Sequence, residues 1–390
     1  MKYDFDEIIN RENTGSVKYD GRRHYFGSDD LIPMWVADMD LRIPDFIINA
    51  IKERADHPVY GYTVRTDQYY NSVTGWMKKR FNWNIHKNHI IYTPGIVSAL
   101  NMCVMAYTDP GDEVIVQPPV YFPFFSAVKN NERELIYNPL ALKNGRYYMD
   151  LDDFRKKAGS KVKMMFLCHP HNPGGMVWTR EELEELADIC LKNDIIVVSD
   201  EIHSDLVFPP HKHIPFATLS DKINNITVAC TAPSKTFNLA GLSTSNMIIR
   251  NRELMIRFMH IMEKLHVGNG NIFGAVAMQA AYDHGEEWLE QLLEYLQGNI
   301  DFVDEYLRAN IPEIKAIKPE ATYLVWLDCR DLGMEPKQLR DFFIYKAKVG
   351  FSDGATFGPG GEGFQRMNIA CPRSVVEEAL ERIRKALNPS

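Results

Sequence analysis

Lys235 lies in Thr231-Ala232-Pro233-Ser234-Lys235-Thr236-Phe237-Asn238-Leu239-Ala240-Gly241, directly after the apolar run Ile226-Thr227-Val228-Ala229-Cys230. A lysine in a turn of small residues behind a buried strand adds little to solubility. It is well placed to form an imine with a carbonyl compound. Upstream, Asp200 closes the run Ile195-Ile196-Val197-Val198-Ser199, and Asn172 follows Lys163-Met164-Met165-Phe166-Leu167-Cys168. Tyr121 follows Glu113-Val114-Ile115-Val116-Gln117 and the pair Pro118-Pro119. Each of these four polar side chains sits at or just beyond the C-terminal end of an expected strand. Open parallel sheets bind ligands in the crevice outside those ends, so the four are expected to converge.

Their types point to pyridoxal 5'-phosphate (PLP). Lys235 would hold the cofactor as an imine and, once substrate displaces it, act as general base at Cα. Asp200 would face the pyridine nitrogen and keep it protonated, which makes the ring a sink for a carbanion. A helix N-cap or a surface acid is the plainer reading of that residue. Asn172 would bond the ring 3-hydroxyl, although His171-Asn172-Pro173-Gly174-Gly175 also reads as a simple turn. Tyr121 would stack on the ring face, with core packing as the alternative.

The cofactor phosphate needs donors. Thr93-Pro94-Gly95-Ile96-Val97-Ser98 reads as a turn opening a helix to about Ala106, whose Val97 and Ser98 amides make an anion site. Ser234 and Thr231 could add hydroxyls. Arg366, in Gly363-Phe364-Gln365-Arg366-Met367-Asn368, is the candidate for a substrate α-carboxylate, which a guanidinium binds bidentately. The preceding Gly358-Pro359-Gly360-Gly361-Glu362-Gly363 is no dinucleotide fingerprint, because no strand–turn–helix surrounds it.

The elements that must position these groups read as α/β. The apolar runs above, with Asn246-Met247-Ile248-Ile249, are apolar on both faces, as strands of a mostly parallel sheet are. Helices lie between them: Thr179-Arg180-Glu181-Glu182 is a capping box, followed by a stripe of Leu183, Leu186, Ala187 and Cys190. From about Gly285 the texture changes to a long amphipathic helix carrying Trp288, Leu292, Leu296, Ile300, Val303 and Leu307. Thr322 to Leu327, a helix near Lys337 to Tyr345, and Gln365 to Ala370 follow. We expect a large cofactor-binding α/β domain over residues 46–284 and a smaller α+β domain from 1–45 and 285–390.

Composition narrows the partners. The chain has 390 residues, 45% of them hydrophobic, and a net charge of −8 without a long block of either sign, so nothing favours nucleic acid or an anionic membrane. No run approaches the roughly 18 apolar residues of a membrane span, and the acidic start lacks a signal-peptide core. Six scattered cysteines without a Cys-x-x-Cys pair suit a reduced cytoplasmic setting; Cys103, Cys168, Cys190 and Cys230 lie in apolar runs as small buried hydrophobes. His211 and His213 read as a solvated loop rather than a metal site.

Together these residues resemble the fold type I PLP enzymes, the aspartate aminotransferase superfamily, over nearly the whole chain. The branch they resemble is the cystathionine β-lyase-like carbon–sulfur lyases. The matching motifs are Pro33-Met34-Trp35-Val36-Ala37-Asp38-Met39-Asp40, Tyr60-Gly61-Tyr62-Thr63, Asp200-Glu201-Ile202-His203-Ser204-Asp205, Ser234 to Gly241, and Asn368-Ile369-Ala370-Cys371-Pro372. The resemblance implies that Tyr62 reaches the PLP phosphate of a neighbouring subunit, hence a homodimer with shared active sites. It places His203 where aminotransferases usually carry a tyrosine near the ring hydroxyl. It also sets Trp35 and the Ala37 backbone near the substrate. One departure is Ser243, where many aminotransferases have a phosphate-binding arginine.

The expected reaction is α,β-elimination on an S-substituted L-cysteine such as L-cystathionine, giving a thiol, pyruvate and ammonia. Arg366 and Asn172 would align the Cα–H bond with the ring π system. An aminotransferase acting on an amino acid and an oxo acid is the alternative, and a PLP-binding regulatory protein is a third reading. A Rossmann dehydrogenase lacks its Gly-x-Gly-x-x-Gly after the first strand.

Overall fold

The strands lack alternation because both faces of their sheet are covered. The computed structural model describes residues 2–388. Its seven-stranded sheet comprises β1 (Ile90–Thr93), β2 (Glu113–Val116), β3 (Glu134–Tyr137), β4 (Val162–Cys168), β5 (Ile196–Asp200), β6 (Thr227–Thr231) and β7 (Ser245–Ile248), in the spatial order β1-β7-β6-β5-β4-β2-β3. Within β4, Met164, Phe166 and Cys168 enter one apolar cluster while Met165 and Leu167 enter another. The first cluster takes Leu100, Cys103 and Val104 from a helix at Ile96–Tyr107; the second takes Leu183, Leu186 and Cys190 from one at Arg180–Lys192. Period-two geometry with both faces buried turns an alternating pattern into a continuous apolar one. The Arg180–Lys192 helix starts with the expected capping box, Thr179 and Glu182 each bonding the other's backbone.

The register fixes the direction of the active edge. β2, β4, β5 and β6 run parallel to one another, with Cys168 beside Asp200 and Asp200 beside Cys230. β7 runs antiparallel to both β6 and β1. The connection from Thr231 to Ser245 holds the short turns Pro233–Thr236 and Ala240–Leu242 but no crossover helix, so the chain returns in the opposite sense. Two reversals bring β1 back into the direction of β6. The C-terminal ends of β1, β2, β4, β5 and β6 therefore share one edge.

A second, antiparallel sheet has the order β8-β9-β11-β10: β8 (Lys315–Ile317), β9 (Leu324–Asp328), β10 (Ser352–Asp353) and β11 (Phe364–Asn368). Three helices serve it and the core behind it: α1 (Asp67–Phe81), α2 (Glu286–Asn310) and α3 (Arg373–Leu387). Trp288, Leu292, Leu296, Ile300, Val303 and Leu307 of α2 are all buried and join one cluster with Leu324, Val325 and Met367 of the small sheet and Trp76 of α1. The N-terminal segment pairs Ile32–Pro33 in parallel with Val349–Gly350, a separate two-stranded sheet just ahead of β10 in the chain.

Two local expectations change. All six cysteines are buried and free, so Cys329 and Cys371 join the four read as small hydrophobes. His213 does not sit in a solvated loop: its side chain is 1% exposed and its Nε2 lies 3.0 Å from Glu201 Oε2. Among the described residues no helix is long and apolar enough to cross a membrane.

Candidate active site

The strand ends bring the predicted residues together. Asp200 is the last residue of β5, and Asn172 follows the end of β4. Tyr121 lies beyond β2, and its amide donates to the Asn172 carbonyl at 3.1 Å, which ties those two loops together. Lys235 rides on the turn Pro233–Thr236 after β6. Its flanks anchor that turn: Thr236 Oγ1 donates to Asp205 Oδ2 at 2.9 Å, and the fully buried Phe237 stacks on Trp288 at 5.7 Å.

Burial sets the charges. Asp200 Oδ1 accepts from the Ile202 amide at 3.3 Å, and no cation lies within ion-pair distance among the described residues. Burial raises its carboxyl to about 7, with Glu201 adding and Lys235 opposing. The Lys235 amine is lowered to about 8 by burial and then by the nearby Arg366 charge, against the pull of Asp38 and Asp200. Its Nζ donates to the Ala37 carbonyl at 2.7 Å. Burial lifts the Tyr121 phenol to about 12, and it holds the His203 imidazole neutral, well below its ordinary value. His203 Nδ1 is buried without a hydrogen-bond partner.

Arg366 comes from the small sheet, opposite Trp326 and Ser352 in register. Nη1 donates to Asn172 Oδ1 at 2.9 Å, and Nη2 donates to the Trp35 carbonyl at 2.8 Å and Ser352 Oγ at 3.1 Å. The guanidinium lies 5.0 Å from the Phe357 ring centre, and its Nε has no partner. With no carboxylate beside it among the described residues, burial pulls Arg366 down to about 10. A buried cation lacking a counter-ion is built for an anion brought from outside.

On the same edge, β1 leads into Gly95, whose φ of 125° lies where a side chain is strained. Ser245 Oγ accepts from the Gly95 amide at 3.1 Å and so pins the turn. Val97 and Ser98 are exposed in the first helical turn, with their amides free of intrahelical partners. Ser98 Oγ donates to the Gly95 carbonyl, and Thr231 Oγ1 donates to the Asn246 carbonyl at 3.4 Å. Ser234 is half-buried beside Lys235, and the Ser243 carbonyl accepts from the Tyr92 hydroxyl at 3.0 Å. Tyr62 is 97% exposed and touches none of these groups within its own chain.

Tyr323, and Asp38 and Asp40 of the Pro33–Asp40 motif, border these groups. Tyr323 donates from its hydroxyl to the Ala37 carbonyl at 2.9 Å, and its ring meets that of His203 edge-on at 6.1 Å. Asp38 pairs with Arg11 at 2.7 Å, and Asp40 pairs with Arg11 at 2.6 Å and Lys18 at 2.7 Å. No local signal marks Tyr323, which reads as one more residue of an apolar run, whereas Asp38 and Asp40 lie in the Pro33–Asp40 motif. A phosphorylated pyridine aldehyde would need an amine close to neutrality, a buried acid free of cations, a flanking ring and helix-start amides. This edge has all four, so the residues present fit the group.

The family model described as aminotransferase class I and II matches residues 30–383. The chain is 44% identical to the cystathionine beta-lyase PatB of Bacillus subtilis over 385 residues, covering 98% of this chain and 100% of that protein. Its fold matches cystalysin of Treponema denticola, a structure containing a pyridoxal 5'-phosphate cofactor, with a TM-score of 0.97, 40% identity and 99% of each chain covered. It also matches a PLP-bound C-S lyase of Staphylococcus hominis, with a TM-score of 0.92, 36% identity and coverage of 100% of this chain and 99% of that one.

Proposed function

The chain belongs to the class I and II aminotransferase family, and on that premise we propose that it is a PLP-dependent carbon–sulfur lyase. It cleaves S-substituted L-cysteines such as L-cystathionine by α,β-elimination. The observation that carries this reading is that Lys235, an amine lowered to about 8, and Arg366, a buried cation without a counter-ion among the described residues, both bond the Trp35–Ala37 backbone at the active edge. The full-length likeness to PatB and to the C-S lyase supports elimination over amino transfer.

The residues divide the work by position. PLP, when bound, supplies an aldehyde for the amino group and a protonated ring that accepts charge from Cα. Asp200 would hold the proton on the ring nitrogen, with Asn172 and His203 on the ring-hydroxyl side and Tyr121 against its face. The amides of Val97 and Ser98, with Ser234 and Thr231, would take the phosphate. Arg366 would bind the substrate carboxylate through the N–H groups that now serve Asn172 and the Trp35 carbonyl. Lys235 Nζ would take the α-proton, and the Cβ–S bond would break with its electron pair leaving on sulfur as a thiolate. Addition of water leaves pyruvate and ammonia.

Three further points belong to this reading. Tyr62, with the exposed Tyr60, Val59 and Val64, would complete the phosphate site of a second copy in a homodimer. The smaller domain would comprise residues 1–45 and 285–390, carrying Arg366 against the large domain over 46–284. The setting would be cytoplasmic.

The test is pyruvate release from L-cystathionine by PLP-loaded protein without an oxo acid, beside Lys235→Ala. Pyruvate that disappears in the variant supports the lyase. Amino transfer that starts only when an oxo acid is added would overturn it.

A further inference from the structure

The segment from Trp35 to Met39 crosses the active edge as a bent strap, and each of its five carbonyls accepts from a side chain. Arg366 donates to Trp35, Asn368 to Val36 and Asp38, Lys235 and Tyr323 to Ala37, and Asn238 to Met39. The Ala37 carbonyl alone touches the amine that does chemistry, at 2.7 Å, and it shares both its lone pairs, because the Tyr323 hydroxyl lies at 2.9 Å. Tyr323 is wholly buried at the entry to β9, and the preceding Thr322 has a φ of 73°, an uncommon conformation for a β-branched residue. Strain of that kind persists only where the surroundings hold it, and here it orients the tyrosine toward the strap.

We propose that Tyr323 is a positioning residue for Lys235: its hydroxyl holds the Ala37 carbonyl where the lysine amine docks and occupies one of that oxygen's two lone pairs. The inference rests on the lyase reading, in which Lys235 alternates between a bonded and a free amine. While the amine is bonded elsewhere, Tyr323 remains as the side-chain donor to Ala37, so the carbonyl does not swing away or take up water. When the amine returns, it meets an acceptor already sharing its electron density. Such an acceptor stabilises an ammonium less than a free carbonyl does, which favours the neutral amine that can act as a base. The other charged or titratable groups around Lys235 are Asp38, Asp200, His203 and Arg366, and a change at Tyr323 leaves all four in place.

The experiment uses apoprotein and PLP as the probe. The rate of imine formation, followed by absorbance across pH 6 to 10, reports the fraction of Lys235 that is neutral. Wild type should show a midpoint near 8. Tyr323→Phe, which removes the hydroxyl alone, should raise the midpoint by roughly half a pH unit, a threefold change in the protonation constant. In turnover it should lower kcat while KM holds, because the hydrogen bonds that orient Arg366 go to Asn172, Trp35 and Ser352 and not to Tyr323. Coincident midpoints in a folded variant overturn the inference and leave the lyase reading standing. Absence of any imine in wild type overturns both. Should Tyr323→Phe fail to fold, Tyr323→Met, which also lacks the donor, takes the same measurement.

Discussion

Arg366→Met separates a substrate-binding guanidinium from a structural one. Two N–H groups facing a carboxylate contribute roughly 1.5 to 3 kcal/mol each, so losing both should reduce kcat/KM by about 4 kcal/mol, or roughly a thousandfold. Folding should change far less. Burial depresses the guanidinium to about 10, so its charged form is penalised at every pH below that value. Stability held back at neutral pH, roughly 3 kcal/mol, returns only as pH rises through 10. Methionine removes that penalty but leaves Asn172 Oδ1 without a donor, at about 1 to 3 kcal/mol, and the Trp35 carbonyl with the Ser352 hydroxyl in place of two donors. The two effects nearly cancel, and the melting temperature should move by no more than about 5 °C. Pyruvate production from L-cystathionine and a thermal melt provide both numbers. If kcat/KM stays within about tenfold of wild type, Arg366 does not hold the carboxylate. If the melting temperature falls by more than about 10 °C, the guanidinium is structural.

Two more outcomes follow from the same geometry. Asp200→Asn should cut kcat by at least about a hundredfold, and its apoprotein should gain on wild type as pH rises. The wild-type carboxyl, raised to about 7, keeps its proton up to that pH. Its stability relative to asparagine therefore drops from about pH 4 and reaches its full deficit, up to roughly 4 kcal/mol, above pH 7. Parallel stability-versus-pH curves for the two apoproteins would refute the buried acid. Tyr62→Ala should leave thermal stability within about 0.5 kcal/mol, since the side chain is 97% exposed in one chain, yet weaken PLP retention about tenfold in the dimer. Unchanged PLP affinity would remove Tyr62 from the phosphate site.

Much of the cofactor edge is written in local sequence. Apolar runs of five or six residues can be strands buried on both faces only if helices cover them, and a parallel sheet then puts every run's C-terminal end on one side. That logic reaches Tyr121, Asn172, Asp200 and Lys235 without any knowledge of contacts. The capping box at Thr179 and the apolar stripe of α2 are equally local, because a helix repeats within a few residues.

What the tertiary structure decided lies between segments far apart in the chain. Arg366 meets Asn172 across 194 residues and the Trp35 carbonyl across 331, and Tyr323 meets Ala37 across 286. No pattern within a strand encodes such a meeting. It depends on how the small sheet packs against the strap and the large sheet, and on which way β7 turns for want of a crossover helix. The same holds for charge. The sequence shows that Asp200, Lys235 and Arg366 are an acid and two bases. Their altered proton affinities come from removal of water, and burial is a property of the packed whole.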